Sequence, residues 1–307
     1  MKISIIITTY NRKDYLKKAI ESVRMQTMED WEIIIIDDFS LDHTFEFIEK
    51  EYRNDKRIHI HRNQKNMGPG INRKNAMSEA SGEYIIFLDD DDCFIDNEYF
   101  ENAMALFESH SNLSMVSASH IVYDVINNSK SEKKFSYKEV VDHKEFFLHF
   151  GLCDYVKPII SVTIIKKEAL LKAHYEDMEI LNDTTIFLRA LLYGPMGFIN
   201  KPSAEYLVHG DNISFHCDTD FILQNLEEKY KVYQLAGTYF NFTKEQLYQW
   251  LLEQADITII YFIRGSHPNI FQFLKILKWA KRRLKNKEKC VEYKKIYKES
   301  KGGEKII

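Results

Sequence analysis

Short apolar runs alternate with amphipathic segments through the first third of this chain. The runs ISIIITT, WEIIIID, RIHIH and EYIIFLD are rich in isoleucine, and segments with helical periodicity separate them, at 14–26, 42–52 and 70–80. Buried strands joined by helices are typical of βαβ units, in which helices cover both faces of a parallel sheet. The pattern predicts an α/β fold with a Rossmann-like, mostly parallel central sheet flanked by helices.

The alternation ends in the second half of the chain. A helix is expected over 97–109, short elements continue to the strand-like AEYLVH, and helical periodicity prevails beyond residue 218. The sequence therefore predicts a catalytic or binding domain at 1–217 and a helical C-terminal region at 218–307.

Composition excludes several classes of protein. The net charge is −4, and the basic residues concentrate between 264 and 305, so a basic footprint for nucleic acid over the whole chain is absent. The four cysteines are far apart and form no Cys-x-x-Cys pair, which predicts neither a zinc site nor a disulfide framework (Cys93, Cys153, Cys217, Cys290). The first apolar run is too short for a signal peptide, so we expect a cytoplasmic location.

Four consecutive aspartates, Asp89 to Asp92, follow the fourth predicted strand. Like charges in one loop raise each other's pKa unless a positive group lies among them, and Mg²⁺ or Mn²⁺ would bind carboxylates together with substrate phosphates. A solvated acidic loop, or a cap of the following helix, explains the same residues. Both interpretations remain open from this motif alone.

The segments IIITTYNR, QTMEDWEIIIIDDFSLDHT and GINRKNAMSEASGEYIIFLDDDD resemble, in this order, the family 2 glycosyltransferases with the GT-A fold. The resemblance implies an inverting enzyme of the bacterial surface-glycan type, and it covers roughly the first hundred residues. It implies that Thr8, Tyr10 and Asp38 surround a uracil base and that Arg73 faces the nucleotide. Without the resemblance, Thr8 and Tyr10 would be strand-end residues and Arg73 a surface arginine.

The same resemblance divides the acidic cluster between two ligands. It implies that Asp89 and Asp90 contact the nucleotide, and that Asp91 and Asp92 bind a divalent metal, Mn²⁺ or Mg²⁺. YLVHGDNIS resembles a late Tyr-x-x-His segment, which implies that His209 reaches the metal or the diphosphate. As a lone residue, His209 would be a structural histidine.

ILNDTTIFLRALLYG resembles the segment that carries the catalytic base, which the resemblance places at Asp183. The alternative is that Asp183 only caps the helix that begins there. Among the positions that depart from the family pattern, Asn182 stands in place of a glutamate and Phe39 in place of a glycine. Phe39 is expected to reshape the pocket for the uracil base or for the ribose of the nucleotide.

Apolar residues and cations are interleaved in the C-terminal segment FQFLKILKWAKRRLK (Phe271, Leu274, Ile276, Leu277, Trp279, Leu284). Such a helix suits the surface of an anionic membrane, which would place the enzyme at the inner face of the cell membrane. A helix that packs within the domain and carries a solvated basic face fits equally well.

The expected activity is metal-dependent, inverting transfer of a hexose or N-acetylhexosamine from a UDP-sugar. The expected acceptor is a hydroxyl of a glycan or lipid-linked oligosaccharide. A non-catalytic subunit that binds nucleotide or glycan with the same fold is the alternative. A nucleotidyltransferase would require a glycine-rich basic loop after the first strand, and TTYNR is not one. No motif specifies the donor sugar, the acceptor, the linkage or the oligomeric state.

Overall fold

A computed structural model describes residues 2–135, 137–152, 157–178, 180–210 and 218–302. The chain divides into two compact units, Met1–His209 and Gly210–Ile307. The boundary expected between residues 217 and 218 falls at the end of the segment 211–217, which lies outside the described residues, as do Cys153 and Cys217.

The first unit contains a single sheet of ten strands among the described residues. The strands are β1 (Ile3–Thr9), β2 (Trp31–Asp37), β3 (Ile58–Arg62), β4 (Tyr84–Asp89), β5 (Cys93–Phe94), β6 (Met115–Asp124), β7 (Ser129–Lys133), β8 (Val140–Val141), β9 (Thr163–Lys166) and β10 (Met196–Val208). Their order is β3-β2-β1-β4-β9-β6-β10-β5, with β7 beside β6 and β8 beside β10. Strands β3, β2, β1 and β4 are parallel, whereas β9 runs antiparallel to β4 and β6.

In the described part of this unit, seven α-helices connect and cover the strands. They are α1 (Lys13–Arg24), α2 (Thr44–Tyr52), α3 (Pro69–Glu79), α4 (Tyr99–Ser109), α5 (His143–His149), α6 (Lys167–Lys172) and α7 (Asp183–Leu191). Residues of α1, α2 and α4 share one buried core with Ile3, Ile5 and Ile7 of β1. Because side chains alternate across a strand, Ile6 lies on the other face, and α3 packs against β1 and β2. The predicted α/β fold with helices on both faces of a central sheet is confirmed, and the sheet is mixed, with its parallel part concentrated in β1 to β4.

The second unit is helical throughout its described part. Its helices are α8 (Thr219–Tyr239), α9 (Lys244–Gly265), α10 (Ile270–Arg283) and α11 (Lys287–Gly302). Helix α9 contacts α8 and α11, and α10 contacts the same two helices. Among the described residues, no helix is both long enough and apolar enough to span a membrane.

Trp279 of α10 belongs to the interior of this unit. It is 4% exposed, and its indole Nε1 donates to Glu227 of α8 at 2.9 Å. Ile276, Leu277 and Leu284 are buried as well. Of the two interpretations of this helix, packing within the domain holds for these four residues, because the i, i+3 and i+4 spacing turns them toward α8 and α11.

Candidate active site

The carboxyl ends of β1, β2 and β4 meet at one edge of the sheet, because the three strands are adjacent and parallel. Thr9 is paired with Asp37 across β1 and β2, and Thr8 with Asp89 across β1 and β4. The polar residues that follow these strands are therefore brought together, as expected for the ligand edge of an α/β sheet. Thr8 itself is half-buried at this edge, and Tyr10 is exposed.

Asp38 fixes the loop between β3 and α3. Its Oδ1 accepts hydrogen bonds from Asn63 Nδ2 at 2.7 Å and from the Met67 backbone N–H at 2.8 Å, and its Oδ2 accepts from the Gly68 N–H at 2.8 Å. The residue is only 3% exposed. Asp38 thus holds the loop that is expected to face the nucleotide, and beyond these three bonds only Oδ2 keeps acceptor capacity.

Arg12 ties the loop after β1 to the acidic cluster. Its Nη1 donates to Asp90 Oδ1 at 3.0 Å and to Asp91 Oδ2 at 2.9 Å. The other oxygen of Asp90 accepts from Thr9 Oγ1 at 2.7 Å, and Asp90 is 4% exposed. The Asp90 carboxylate therefore links the end of β1 and the loop after it to the loop after β4.

Asp91 and His209 converge from distant parts of the chain. His209 Nε2 lies 2.9 Å from Asp91 Oδ2, and the His209 ring stacks on Tyr15 of α1 with centroids 5.4 Å apart. Among the described residues, the structure shows no hydrogen bond to the other oxygen, Asp91 Oδ1. An imidazole nitrogen beside a carboxylate with one uncommitted oxygen is a donor pair that a borderline cation accepts.

The Asp91–His209 pair fits Mn²⁺ or Mg²⁺ only as a partial site. In the described part of the chain, no group of three or more His, Cys, Asp or Glu residues is arranged to hold a metal ion. Mg²⁺-type cations are commonly bound by one or two protein ligands together with substrate phosphates and water. The two residues present match that requirement, with the remaining ligands left to the substrate.

Asp92 is committed to positioning β10. Its Oδ2 accepts from Ser161 Oγ at 2.5 Å and its Oδ1 from the Leu207 N–H at 3.0 Å, and the residue is 1% exposed. One oxygen thus holds β10, the strand that His209 follows, and the other holds the short 3-10 turn that contains Ser161. Because both oxygens accept hydrogen bonds within the protein, Asp92 is a supporting residue and not a proposed metal ligand.

Arg73 joins the acidic cluster to the expected base. Its Nη2 donates to Asp89 Oδ1 at 2.5 Å, its Nη1 donates to the Leu181 carbonyl at 3.2 Å, and the same Nη1 lies 3.7 Å from Asp183 Oδ1. Arg73 comes from α3 and is 7% exposed, so it is a buried bridge. It lies at the centre of the site, between two carboxylates.

Asn182 caps α7. Its Oδ1 accepts from the Thr185 N–H at 3.0 Å, and Thr185 Oγ1 accepts from the Asn182 N–H at 3.2 Å, which completes a capping box. Asp183 is the first residue of the helix, and its side chain is 36% exposed. The cap is therefore formed without the Asp183 carboxylate, which remains accessible beside Arg73.

Burial and mutual repulsion raise the pKa values of this cluster. Burial raises the pKa of Asp89 to about 7, with Asp183, Asp91 and Asp90 acting in the same direction and Arg73 opposing them. Burial likewise raises the pKa of Asp90 to about 6 against the effect of Arg12. The pKa of Asp92 is well above its ordinary value for the same reason, which is desolvation beside like charges. Clusters of shifted carboxyl groups in a cleft are typical of functional sites.

The site also contains residues to which the sequence assigned no role. Arg12 lies in the segment TTYNR, three residues after β1 ends. A basic residue in the loop after the first strand is the feature from which a role in the site could have been predicted. Tyr206, three residues before His209, lies close enough to Asp92 and Asp89 that burial and these carboxylates raise its pKa. Ser161 comes from a short 3-10 turn at Ile160–Val162, and nothing in its sequence context indicates contact with Asp92.

The model of the family described as "Glycosyl transferase family 2" matches residues 4–166, more than half of the chain. This chain belongs to glycosyl transferase family 2. The match includes the strands β1 to β4 and the acidic cluster, so the resemblance drawn from the first hundred residues is confirmed.

Several curated proteins are similar to this member of family 2. An uncharacterized glycosyltransferase of Rickettsia bellii is 29% identical over 217 residues, which is 70% of this chain and 30% of that protein. The GalNAc(5)-diNAcBac-PP-undecaprenol beta-1,3-glucosyltransferase of Campylobacter jejuni is 44% identical over 92 residues, 30% of each chain. This chain spans about a third of the length of these two relatives.

A crystal structure of residues 1–349 of TarS from Staphylococcus aureus, in complex with UDP-GlcNAc, is similar over 99% of this chain and 92% of that one. The TM-score is 0.63 and the sequence identity is 18%. At this identity the likeness shows a shared fold, which is the GT-A fold with additional C-terminal helices.

Proposed function

We propose that this protein is an inverting, metal-dependent glycosyltransferase. It transfers a hexose or N-acetylhexosamine from a UDP-sugar to a hydroxyl of a glycan or lipid-linked oligosaccharide. The observation that carries the proposal is the convergence of Asp91, His209, Arg73 and Asp183 at the carboxyl ends of the strands in a family 2 protein. The choice of UDP rests on the implied uracil site and on TarS, whose crystal structure contains UDP-GlcNAc.

Asp183 is the proposed general base. Its carboxylate takes the proton of the acceptor hydroxyl while that oxygen forms a bond to the anomeric carbon, and the bond from that carbon to the diphosphate breaks, releasing UDP. An exposed carboxylate that is not used as the helix cap suits this role. Arg73 Nη1 lies 3.7 Å from Asp183 Oδ1 and holds that side chain in place.

Asp91 and His209 are the proposed ligands of Mn²⁺ or Mg²⁺. When bound, the cation stabilises the negative charge that develops on the departing diphosphate. Asp89, whose side chain is 35% exposed, is the most accessible carboxylate of the cluster and is proposed to accept a hydrogen bond from the nucleotide. The residues proposed to bind the uracil base of the nucleotide are Thr8, Tyr10 and Asp38.

An anionic membrane surface is the proposed partner of the second unit. Helix α10 exposes one apolar group at Ile270, Phe271 and Leu274, with Phe271 76% exposed. Lys278 and Lys281 follow on the same side at intervals of four and three residues, and both are exposed. A helix end with apolar tips and a basic surround suits the headgroup region of anionic lipid. The proposed location is therefore the cytoplasmic face of the membrane, near a lipid-linked acceptor.

The test of the activity is UDP release from a panel of UDP-sugars with Mn²⁺, with Mg²⁺ and with EDTA. We expect release from one donor in the presence of metal and none with EDTA. Asp183→Asn should lower the rate about 100-fold or more, the usual worth of a positioned base. Asp91→Ala should abolish the metal dependence together with the activity.

Asp220→Asn is the matched control, because Asp220 also lies in the first turn of a helix and is exposed. It should leave the rate unchanged. Tight UDP binding without release under any condition, acceptor mixtures included, would contradict the enzyme and favour a nucleotide-binding subunit.

A further inference from the structure

Phe39 has a backbone conformation that its side chain disfavours. Its φ is 68°, in the left-handed region, where a Cβ atom crowds the following carbonyl and where glycine is usual. The side chain is also 39% exposed, so burial in a core does not compensate for the strain. Strained residues of this kind cluster at ligand-binding sites.

The strain persists because neighbouring hydrogen bonds fix the loop. The Asp38 N–H donates to the Thr9 carbonyl at 2.8 Å, and the Ser40 N–H donates to Asp37 Oδ2 at 3.1 Å. From the loop after β1, the Asn11 N–H donates to Ser40 Oγ at 2.8 Å, and Asn11 Oδ1 accepts from Leu41 N–H at 2.7 Å. Phe39 is therefore held in place from both sides.

Three loops that meet around Asp38 each present one exposed apolar side chain. Tyr10 follows β1 and is 42% exposed, Phe39 follows β2, and Met67 lies after β3 and is 36% exposed. Asp38 binds the Met67 N–H directly. Single exposed apolar residues are common, but a set that surrounds a buried carboxylate indicates a binding surface.

Arg62 supports the Phe39 ring. The guanidinium carbon lies 5.8 Å from the centre of that ring and 4.9 Å from the centre of the Phe45 ring. Arg62 is itself held by the Ser40 carbonyl, which accepts from its Nη2 at 2.8 Å. The ring is thus supported on one side while a large part of its surface stays open to a ligand.

We infer that Phe39 is a specificity-determining residue whose ring packs against the pyrimidine base of the donor nucleotide. A planar base has apolar faces and a polar edge, and the site offers aromatic and thioether surface around a carboxylate. The contribution of the Phe39 ring to nucleotide binding explains why a residue with a strained backbone stands at this position. This inference rests on the proposed uridine-nucleotide site and adds a residue to it.

The test compares Phe39→Gly, Phe39→Leu and Phe39→Tyr with the wild type. Affinity for UDP and for UMP is measured by calorimetry, and the unfolding temperature is measured without nucleotide. Phe39→Gly should raise the unfolding temperature by a few degrees, and it should weaken the binding of UDP and of UMP by a similar factor, about five- to tenfold. Phe39→Leu should weaken the binding of both nucleotides without raising the unfolding temperature. Phe39→Tyr should keep the affinity of the wild type for both.

His43→Gly is the matched control. His43 also has a left-handed backbone, with φ 65°, and its side chain is 87% exposed. It should raise the unfolding temperature in the same way and leave both affinities unchanged. Wild-type affinity in Phe39→Gly, or a lowered unfolding temperature, would overturn the inference while the nucleotide site stands. A wild type that binds neither UDP nor UMP would overturn both.

Discussion

The Asp89 carboxylate lowers the stability of the folded protein at neutral pH. Its carboxylate is desolvated beside three other acidic residues, and its pKa is raised to about 7. In the unfolded chain the same group titrates near 3.9. The folded protein therefore binds this proton more tightly, and stability decreases as pH rises from about 4 to 7.

Asp89→Asn should remove this loss of stability with rising pH. An asparagine oxygen still accepts from Arg73, but no charge has to be desolvated. Because about a third of the side chain is exposed, solvent screens the effect, and we expect a gain of about 1 kcal/mol at pH 8 and none near pH 4. Urea denaturation across this range, in EDTA and without nucleotide, measures it.

Asp14→Asn, an exposed aspartate in the first turn of α1, should leave the pH profile unchanged. A variant at Asp89 that is less stable than the wild type at pH 8 would contradict the raised pKa. It would mean that the Arg73–Asp89 ion pair outweighs the desolvation of the carboxylate.

Several residues to which the sequence assigns a role lie together in the structure, but their separate roles stay predictions. Asp91 contacts His209 and Arg73 lies beside Asp183, although more than a hundred residues separate Asp91 from His209. Which oxygen of an aspartate faces a ligand depends on distant donors, as with Asp92 and its partners Ser161 and Leu207. Such partners lie on other elements, so local spacing contains no record of them.

At the level of elements, the ends of helices offer a second test. Lys285 follows the C-cap of α10 and has φ 53°, the left-handed position that glycine usually occupies after a helix. Lys285→Gly should therefore stabilise the protein by about 0.5–1 kcal/mol, which thermal unfolding measures. Lys287→Gly, inside the first turn of α11, should destabilise it by a similar amount. Equal effects of the two changes would argue against the strain at Lys285.

The elements themselves followed the periodicity closely where one period dominated. The helix expected at 70–80 is Pro69–Glu79, and the helix expected near Asp183 begins at that residue. The antiparallel insertion of β9 between β4 and β6 had no local signal, because the run ISVTII specifies a buried strand but not its direction. Strand direction depends on the whole chain path.

At the level of the whole molecule, charge is divided between the two units. Residues 1–209 carry 25 Lys and Arg against 34 Asp and Glu, whereas residues 210–307 carry 17 against 12. The net charges are thus −9 and +5. If the second unit docks on anionic lipid through α10, binding to vesicles containing phosphatidylglycerol should weaken with salt.

Two variants separate the exposed face of α10 from overall charge. Phe271→Ser with Leu274→Ser should reduce sedimentation with these vesicles several-fold, since two exposed apolar side chains are lost. Lys278→Gln with Lys281→Gln should do the same through charge. The control is Lys294→Gln with Lys298→Gln, which removes equal charge from exposed positions on α11. Equal binding of all forms would exclude this docking face.

The four carboxylates that pair with Arg12 or Arg73, those of Asp89, Asp90, Asp91 and Asp183, also bear on the order in which ligands arrive. Because two guanidiniums do not neutralise four acidic groups, the site keeps negative charge that repels a diphosphate. A nucleotide on its own should meet an electrostatic barrier, and one that arrives already paired with its cation should not. The proposed donor is thus expected to enter in its neutralised form, before its nucleobase or its sugar makes any contact.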